Sequence, residues 1–178
     1  MLANRQDIQE KLYNEIKANT NDNDPVRNSD KERLPYLEAV MWEIQRYCTL
    51  SPFILHKSCD KDAELFGYTI PKNTMILLNV LSTHMDEKTW GDPHVFRPER
   101  FINDDGKFVK HPHVIPFSIG KRACPGEILA RQELYLFTGN LIKRFRFYPP
   151  EGEQKLDEEP VKDSIWCPKP FNVKISVR

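Results

Sequence analysis

The chain has 178 residues, which is long enough for one domain with a substantial core. Its 26 lysines and arginines balance 26 aspartates and glutamates, and a net charge of zero argues against a nucleic-acid-binding protein. The four cysteines are widely spaced and form neither a C-x-x-C pair nor a zinc-like spacing, so a reducing compartment is favoured over a disulfide framework.

Two helices are predicted in the first third of the chain. Apolar residues recur every four positions from Ile8 to Ile16, with charged or amide side chains between them, so residues 3–18 are predicted to form an amphipathic helix. Residues 19–30 are polar and turn-rich, which is typical of a solvated loop. Residues 34–48 are predicted to form the second helix, because Pro35 suits a first turn and an apolar stripe follows it.

Glu43 and Arg46 are three residues apart on the second predicted helix and can pair directly. Such a pair is usually exposed and stabilises a protein by only ~0.3 kcal/mol. The apolar neighbours Trp42 and Leu50 indicate partial burial as the alternative. A buried pair needs a third partner to satisfy its remaining hydrogen bonds.

Beyond residue 50 the pattern changes to strands and turns. The apolar run 52–55 ends the second helix, and residues 64–70 and 74–78 are predicted strands. Residues 80–85 are predicted to form a short helix, followed by a loop-rich meander to residue 116. The histidines of this region show no metal-ligand spacing and are interpreted as structural or exposed; they are His84, His94, His111 and His113.

A lone cysteine marks the stretch FSIGKRACPG at residues 117–126. A cysteine at the head of a helix lies where free backbone N–H groups and the helix dipole stabilise a thiolate. The ordinary alternative is a small buried apolar residue. Gly120 allows a tight turn, and Gly126 lets the following helix lie close against a flat group. Phe117 can cover the sulfur, and Arg122 can meet a carboxylate.

The last third of the chain is predicted as a helix, a loop and a strand. Residues 126–145 carry a broad apolar face and form the helix behind the cysteine. Residues 146–163 are polar and acidic, which indicates a solvated loop. Residues 171–177 alternate between apolar and polar side chains, which predicts an edge strand.

The string F-S-I-G-K-R-A-C-P-G resembles the haem-binding loop of the cytochrome P-450 monooxygenases at every typed position. The E-x-x-R signature of that family is matched by Glu43-Ile44-Gln45-Arg46, and its partner arginine by Arg100 within FRPERF. The resemblance spans essentially the whole chain and is closest to the animal microsomal group, which includes steroid-hydroxylating and drug-metabolising forms. It implies a mainly α fold with small β-sheets, the C-terminal part of the cytochrome P-450 fold, as a single partial domain over residues 1–178.

The resemblance assigns a cofactor to the cysteine loop. It implies that Cys124 is the axial thiolate of the iron of haem b, a ligand that favours O–O cleavage. The other residues it assigns to haem are Phe117, Gly120, Arg122, Gly126 and His56. His56 either reaches a haem propionate or is a solvent-facing strand histidine. Glu43, Arg46 and Arg100 are implied to form a structural lock that holds the cysteine loop, rather than a catalytic dyad.

The resemblance also implies a substrate pocket and an electron donor. The pocket residues are Leu50, Ser51, Pro52, Phe53, Ile54, Leu55, Ile165 and Trp166. Their apolar character fits a lipophilic substrate such as a steroid, a fatty acid or a foreign compound. The implied reaction is hydroxylation with O₂ and electrons from NADPH, delivered by NADPH-cytochrome reductase or a cytochrome b-type donor. Lys121, Arg122 and Arg131 either face that donor or are ordinary solvated cations.

Met1 corresponds to a position more than halfway along a family member. The resemblance therefore implies that the membrane anchor, the helices roofing the pocket and the oxygen-activating helix lie outside this chain. The longest apolar stretches are far shorter than the ~20 residues that span a bilayer, so no anchor is expected within it, although a full-length relative is expected on the cytosolic face of the endoplasmic reticulum. Two functions stay open: the haem-ligand portion of a monooxygenase, or a truncated, non-catalytic product that binds haem weakly or acts only through partners.

Overall fold

The computed structural model describes the backbone of all 178 residues and the side chains of every residue except Leu55 and His56. The described helices are α1 (Gln6–Asn19), α2 (Pro35–Cys48), α3 (Val80–His84), α4 (Glu87–Trp90) and α5 (Glu127–Arg144). The described strands are β1 (Phe53–Ser58), β2 (Ala63–Leu65), β3 (Tyr68–Ile70), β4 (Met75–Asn79), β5 (Phe145–Tyr148) and β6 (Lys174–Val177). Along this backbone the strands pair as β1–β4, β2–β3 and β5–β6, all antiparallel. This confirms the prediction of a mainly α fold with small β-sheets.

The main core lies where α1, α2 and α5 meet. Each helix buries one apolar stripe there, and the innermost side chains are Leu12, Ile16, Leu37, Val40, Tyr135 and Ile142. At Gly139 the backbone of α5 comes close to its neighbours: an added Cβ would lie 3.0 Å from Leu37 Cδ2 and 3.1 Å from Val26 Cγ1. The space at Gly139 is therefore tight for any larger residue, and the glycine serves packing rather than backbone conformation.

A smaller aromatic core fastens the meander to the other side of α2. Trp42 of α2 packs against Phe101, with ring centroids 6.0 Å apart, and against Phe108 at 5.5 Å. Trp90 at the end of α4 also packs against Phe101, with ring centroids 6.1 Å apart. These tilted aromatic contacts hold residues 86–116 in place although little of that segment is regular structure.

The prediction of one strand over residues 64–70 is wrong. The segment forms two short strands, β2 and β3, joined by a turn at Phe66 and Gly67. Phe66 has φ 49° and Gly67 has φ 81°. Two consecutive residues with positive φ are what the type I′ turn of a two-residue hairpin requires. The apolar Phe66 hid this turn, because aromatic residues usually indicate strand rather than turn.

The loop predicted over residues 146–163 begins later than expected. Helix α5 ends at Arg144, and the next residues form β5, which pairs with β6 from Phe145↔Val177 to Tyr148↔Lys174. The sequence Phe-Arg-Phe-Tyr alternates as a strand does, but its closeness to a long helix concealed the change of period. Strand β6 is shorter than the predicted 171–177 and begins at Lys174.

Helix α5 is apolar on two opposite sides. Tyr135 and Ile142 face the main core, whereas Leu134, Phe137 and Leu141 project from the other side into solvent. Phe137 remains 65% exposed. An exposed apolar side of this kind is typical of a helix surface that another segment or a partner covers. The broad apolar face predicted for this helix is thus divided between a packed and an unpacked side.

Candidate cofactor site

The cysteine loop is a closed turn immediately before α5. The Cys124 backbone N–H donates to the carbonyl oxygen of Phe117 at 2.9 Å, which joins the two ends of the loop. Between them, Ser118 and Gly120 both have positive φ, 70° and 76°. An added Cβ at Gly120 would meet nothing within 4 Å, so the glycine is needed for backbone conformation rather than for space.

The Cys124 thiol lies exposed at the head of α5. Gly126 caps the helix, and an added Cβ on it would approach only Cys124 Sγ, at 3.8 Å. The surface beside the sulfur is therefore low and open. Among the described side chains, no three histidine, cysteine, aspartate or glutamate residues converge to hold a metal ion.

This donor set fits haem. A single thiol suits an iron whose equatorial ligands come from the porphyrin, and a surface without a Cβ suits a flat ring. A structural zinc ion, which takes four protein ligands, does not fit the same residues.

Glu43, Arg46 and Arg100 come together in a buried network. Arg46 donates two hydrogen bonds to Glu43, from Nε at 2.7 Å and from Nη2 at 2.8 Å, and both side chains are fully buried. Arg100 Nε adds a third bond to Glu43 at 3.2 Å, and the Arg97 backbone N–H a fourth at 2.8 Å. The carboxylate is thus satisfied by two side chains and one backbone donor, as a buried charge requires.

Arg100 also fastens the start of the meander. Its guanidinium donates to Asp92 Oδ1 at 3.1 Å and to the carbonyl oxygens of Trp90 and Val95. Burial alone raises the pKa of the Asp92 carboxyl, but the hydrogen bond and charge of Arg100 outweigh it and hold that pKa below its usual range.

His84 connects this network to the cysteine loop. Arg46 Nη1 donates to the His84 carbonyl oxygen at 2.7 Å, and His84 Nε2 accepts the backbone N–H of Ile115 at 2.9 Å, two residues before Phe117. Because Nε2 accepts, the ring proton belongs on Nδ1, where Thr49 Oγ1 accepts it at 2.9 Å. Burial first, and then the charge of Arg46, lower the pKa of His84 to about 4, so the ring is neutral near pH 7.

Sequence reasoning interpreted His84 only as structural or exposed, and it missed this connection. The buried side chain is structural, but its partner is a backbone amide 31 positions away, and no spacing rule indicates such a contact. Lys57 was missed for the same reason. Its Nζ donates to Ser118 Oγ at 2.6 Å and ties β1 to the cysteine loop.

The two predicted pocket walls meet. The Trp166 backbone N–H donates to the Leu50 carbonyl oxygen at 2.8 Å, which joins the turn at residues 164–167 to the segment after α2. Pro52 is buried, and Ser51, Ile54 and Trp166 are half-buried, whereas Leu50, Phe53 and Ile165 are exposed. The predictions for Leu55 and His56 fall outside the described side chains.

The cations near the thiol differ in their surroundings. Lys121 and Arg122 are exposed on the loop. Arg131 pairs with Glu127 at 2.8 Å and is only 19% exposed. In the part of the chain that the structure describes, no helix is both long and apolar enough to cross a bilayer.

Comparison with known proteins identifies the architecture. The family model for Cytochrome P450 matches residues 1–175. The chain is 40% identical over 172 residues to human Cytochrome P450 2U1, and 36% identical over 173 residues to Cytochrome P450 2L1 of Panulirus argus. Both matches cover 97% of this chain but only 32% and 35% of the relatives, so the chain spans about a third of their length.

A solved structure gives the same answer. A solved structure of a zebrafish cytochrome P450 with abiraterone superposes on this chain with a TM-score of 0.90 and 32% identity. The match covers 99% of this chain and 41% of the zebrafish chain. The family match over residues 1–175 and the agreement of the backbone with this structure show that the chain belongs to the cytochrome P450 family.

Proposed function

We propose that this chain is the haem-ligand portion of a haem-thiolate monooxygenase, with the Cys124 thiolate as the axial ligand. The observation that carries the proposal is the exposed thiol at the head of α5, on a loop whose ends are hydrogen-bonded to each other. When bound, haem supplies the reductive activation of O₂ and the insertion of one oxygen atom into a C–H bond.

The chain's own residues hold and orient that group. Cys124 lies just before the first turn of α5, whose backbone N–H groups have no partners within the helix and so suit an anionic ligand, and Gly126 keeps the adjacent surface free of a side chain. Arg122, which is exposed, is the cation we assign to a haem propionate, and His56 is the second. Glu43, Arg46 and Arg100 fix the fold behind the loop through His84 and take no part in the chemistry.

The substrate we propose is a lipophilic small molecule such as a steroid, a fatty acid or a foreign compound. The support is the apolar character of the two joined walls, Leu50 to Leu55 and Ile165 to Trp166. Electrons are proposed to come from NADPH through a reductase or a cytochrome b-type donor, at a surface that includes the exposed Lys121. For a full-length relative, we place this assembly on the cytosolic face of the endoplasmic reticulum.

A second candidate function is a non-catalytic fragment that binds haem weakly or acts through partners. Two observations favour it for the isolated chain: the apolar side of α5 around Phe137 is unpacked, and the pocket walls at Leu50 and Ile165 are exposed. A pocket that does not exclude water supports oxygen chemistry poorly. We therefore expect no NADPH-dependent product from the purified chain with haem and reductase, and product formation would refute the fragment alternative.

Haem titration tests the proposal directly. We expect the wild-type chain to bind haem one-to-one and Cys124→Ser to lose at least tenfold in affinity. Cys167→Ser is the matched control, because Cys167 is also a free, exposed thiol, and it should bind as the wild type does. Equal binding by all three proteins would overturn the ligand assignment.

A further inference from the structure

Arg131 is held from several sides, unlike the exposed cations Lys121 and Arg122. Its Nε donates to Glu127 Oε1 at 2.8 Å, one turn earlier on α5, and its Nη1 donates to Gln45 Oε1 on α2 at 2.9 Å. Gln45 is itself fixed, because its Nε2 donates to the Met41 carbonyl oxygen at 3.0 Å. The Arg131 guanidinium is therefore hydrogen-bonded to groups of the protein itself.

Two aromatic rings complete the surroundings of the Arg131 guanidinium. Its Cζ lies 4.5 Å from the ring centroid of Trp42 and 5.0 Å from that of Phe117. Trp42 is immobilised in the aromatic core against Phe101 and Phe108, so it forms a rigid platform. Phe117 belongs to the cysteine loop, and its carbonyl oxygen accepts the Cys124 N–H. Arg131 thus links a rigid ring on α2 to a ring on the loop.

We propose that Arg131 is a positioning residue that holds Phe117 against α2 and thereby sets where the loop presents Cys124. The assignment of haem to that loop rests on the proposed function, whereas the attachment of Phe117 through Arg131 does not. This role separates Arg131 from the two exposed loop cations, which remain free to meet a propionate or an electron donor.

The contacts require arginine rather than any cation. A guanidinium is planar, can lie against rings on both faces, and donates along its edge to Glu127 and Gln45 at the same time. A lysine keeps the charge, but its ammonium group is not planar and cannot donate along one edge to two fixed acceptors. Arg131→Lys therefore separates the two interpretations: a docking cation tolerates the change, and a positioning residue does not.

The test measures opening of the loop without haem. Trypsin is added to the folded chain, and mass spectrometry follows the fragments that end at Lys121 or Arg122. We expect both Arg131→Gln and Arg131→Lys to raise the rate of cleavage after Lys121 and Arg122 about fivefold, because cleavage tracks the population of the open loop. Phe117→Leu should raise it similarly, and the double variant Arg131→Gln/Phe117→Leu should exceed the faster single variant by less than about twofold, since both remove the same contact.

Arg5→Gln is the matched control. Arg5 also pairs with a carboxylate, Glu158, and lies 4.9 Å from the ring centroid of Phe96, with 20% of its side chain exposed, but it is not in the cysteine loop or α5. We expect it to change loop cleavage by less than about twofold.

Three results would overturn the proposal: wild-type protection in Arg131→Lys, additive effects in the double variant, or equal loop opening in Arg5→Gln. If Arg131→Gln does not fold, Arg131→Lys and Phe117→Leu decide the question. A wild-type chain that fails to bind haem contradicts the proposed function, yet leaves this cleavage comparison intact.

Discussion

Lowering the pH should destabilise the chain through His84. The folded ring has a pKa of about 4, against about 6.5 for an unfolded histidine, because it is buried beside Arg46. Between these values the unfolded state binds a proton that the folded state does not, so the free energy of unfolding falls as the pH falls. Linkage gives a loss of about 2 kcal/mol between pH 7 and pH 5, and about 3 kcal/mol by pH 4.

The structure indicates what protonation disrupts. His84 Nε2 accepts the Ile115 N–H at 2.9 Å, and a protonated Nε2 cannot accept it. Acid should therefore release the backbone at Ile115, two residues before the cysteine loop, as it destabilises the fold.

Urea unfolding followed by tryptophan fluorescence at pH 7, 6 and 5 measures this loss of unfolding free energy. The comparison is valid when the slope of that free energy against urea concentration is the same at each pH. His84→Gln keeps an acceptor for Ile115 and cannot titrate, so it should lose most of the wild-type dependence of stability on pH over this range. Burial, His113 and Arg100 also lower the pKa of His111, so His111→Gln is the necessary control and should keep most of the wild-type slope. An unchanged slope in His84→Gln would refute this reasoning.

Three further predictions concern stability and are measured by thermal or urea unfolding. Arg46→Ala leaves the fully buried Glu43 without its two-point partner and should cost about 3–5 kcal/mol, whereas an unchanged melting temperature would mean that the network is not buried. Gly139→Ala places a methyl group 3.0 Å from Leu37 Cδ2 and 3.1 Å from Val26 Cγ1 and should cost about 1–3 kcal/mol; no loss would show that these two side chains move aside without strain. Gly120→Ala meets no atom within 4 Å but is strained at φ 76°, so about 1 kcal/mol is expected, and a stabilising effect would contradict the described turn.

The long helices and two of the three side chains of the buried network, Glu43 and Arg46, could be predicted because their signals are local. Apolar residues at helical spacing indicated α1, α2 and α5, and Glu43 and Arg46 are one helical turn apart. Arg100 came from the family motif, since nothing local points to a residue 57 positions away.

The features that escaped prediction depend on contacts between distant segments. The pairing of β5 with β6 brings residue 145 beside residue 177, and the accepting nitrogen of His84 meets Ile115 across the fold. Arg131 is a charged residue of the kind usually found at the surface, yet its Cζ lies 4.5 Å from the ring centroid of Trp42 and 5.0 Å from that of Phe117. A single sequence does not show which side chains meet in this way.

The central claim is that Cys124 is the haem ligand, and the ferrous–carbon monoxide spectrum tests it most directly. Haem-loaded wild-type chain, reduced and exposed to carbon monoxide, should show the red-shifted Soret band of thiolate ligation. Cys124→Ser should lose that band, and Cys167→Ser should keep it. Survival of the red-shifted band in Cys124→Ser would contradict the account.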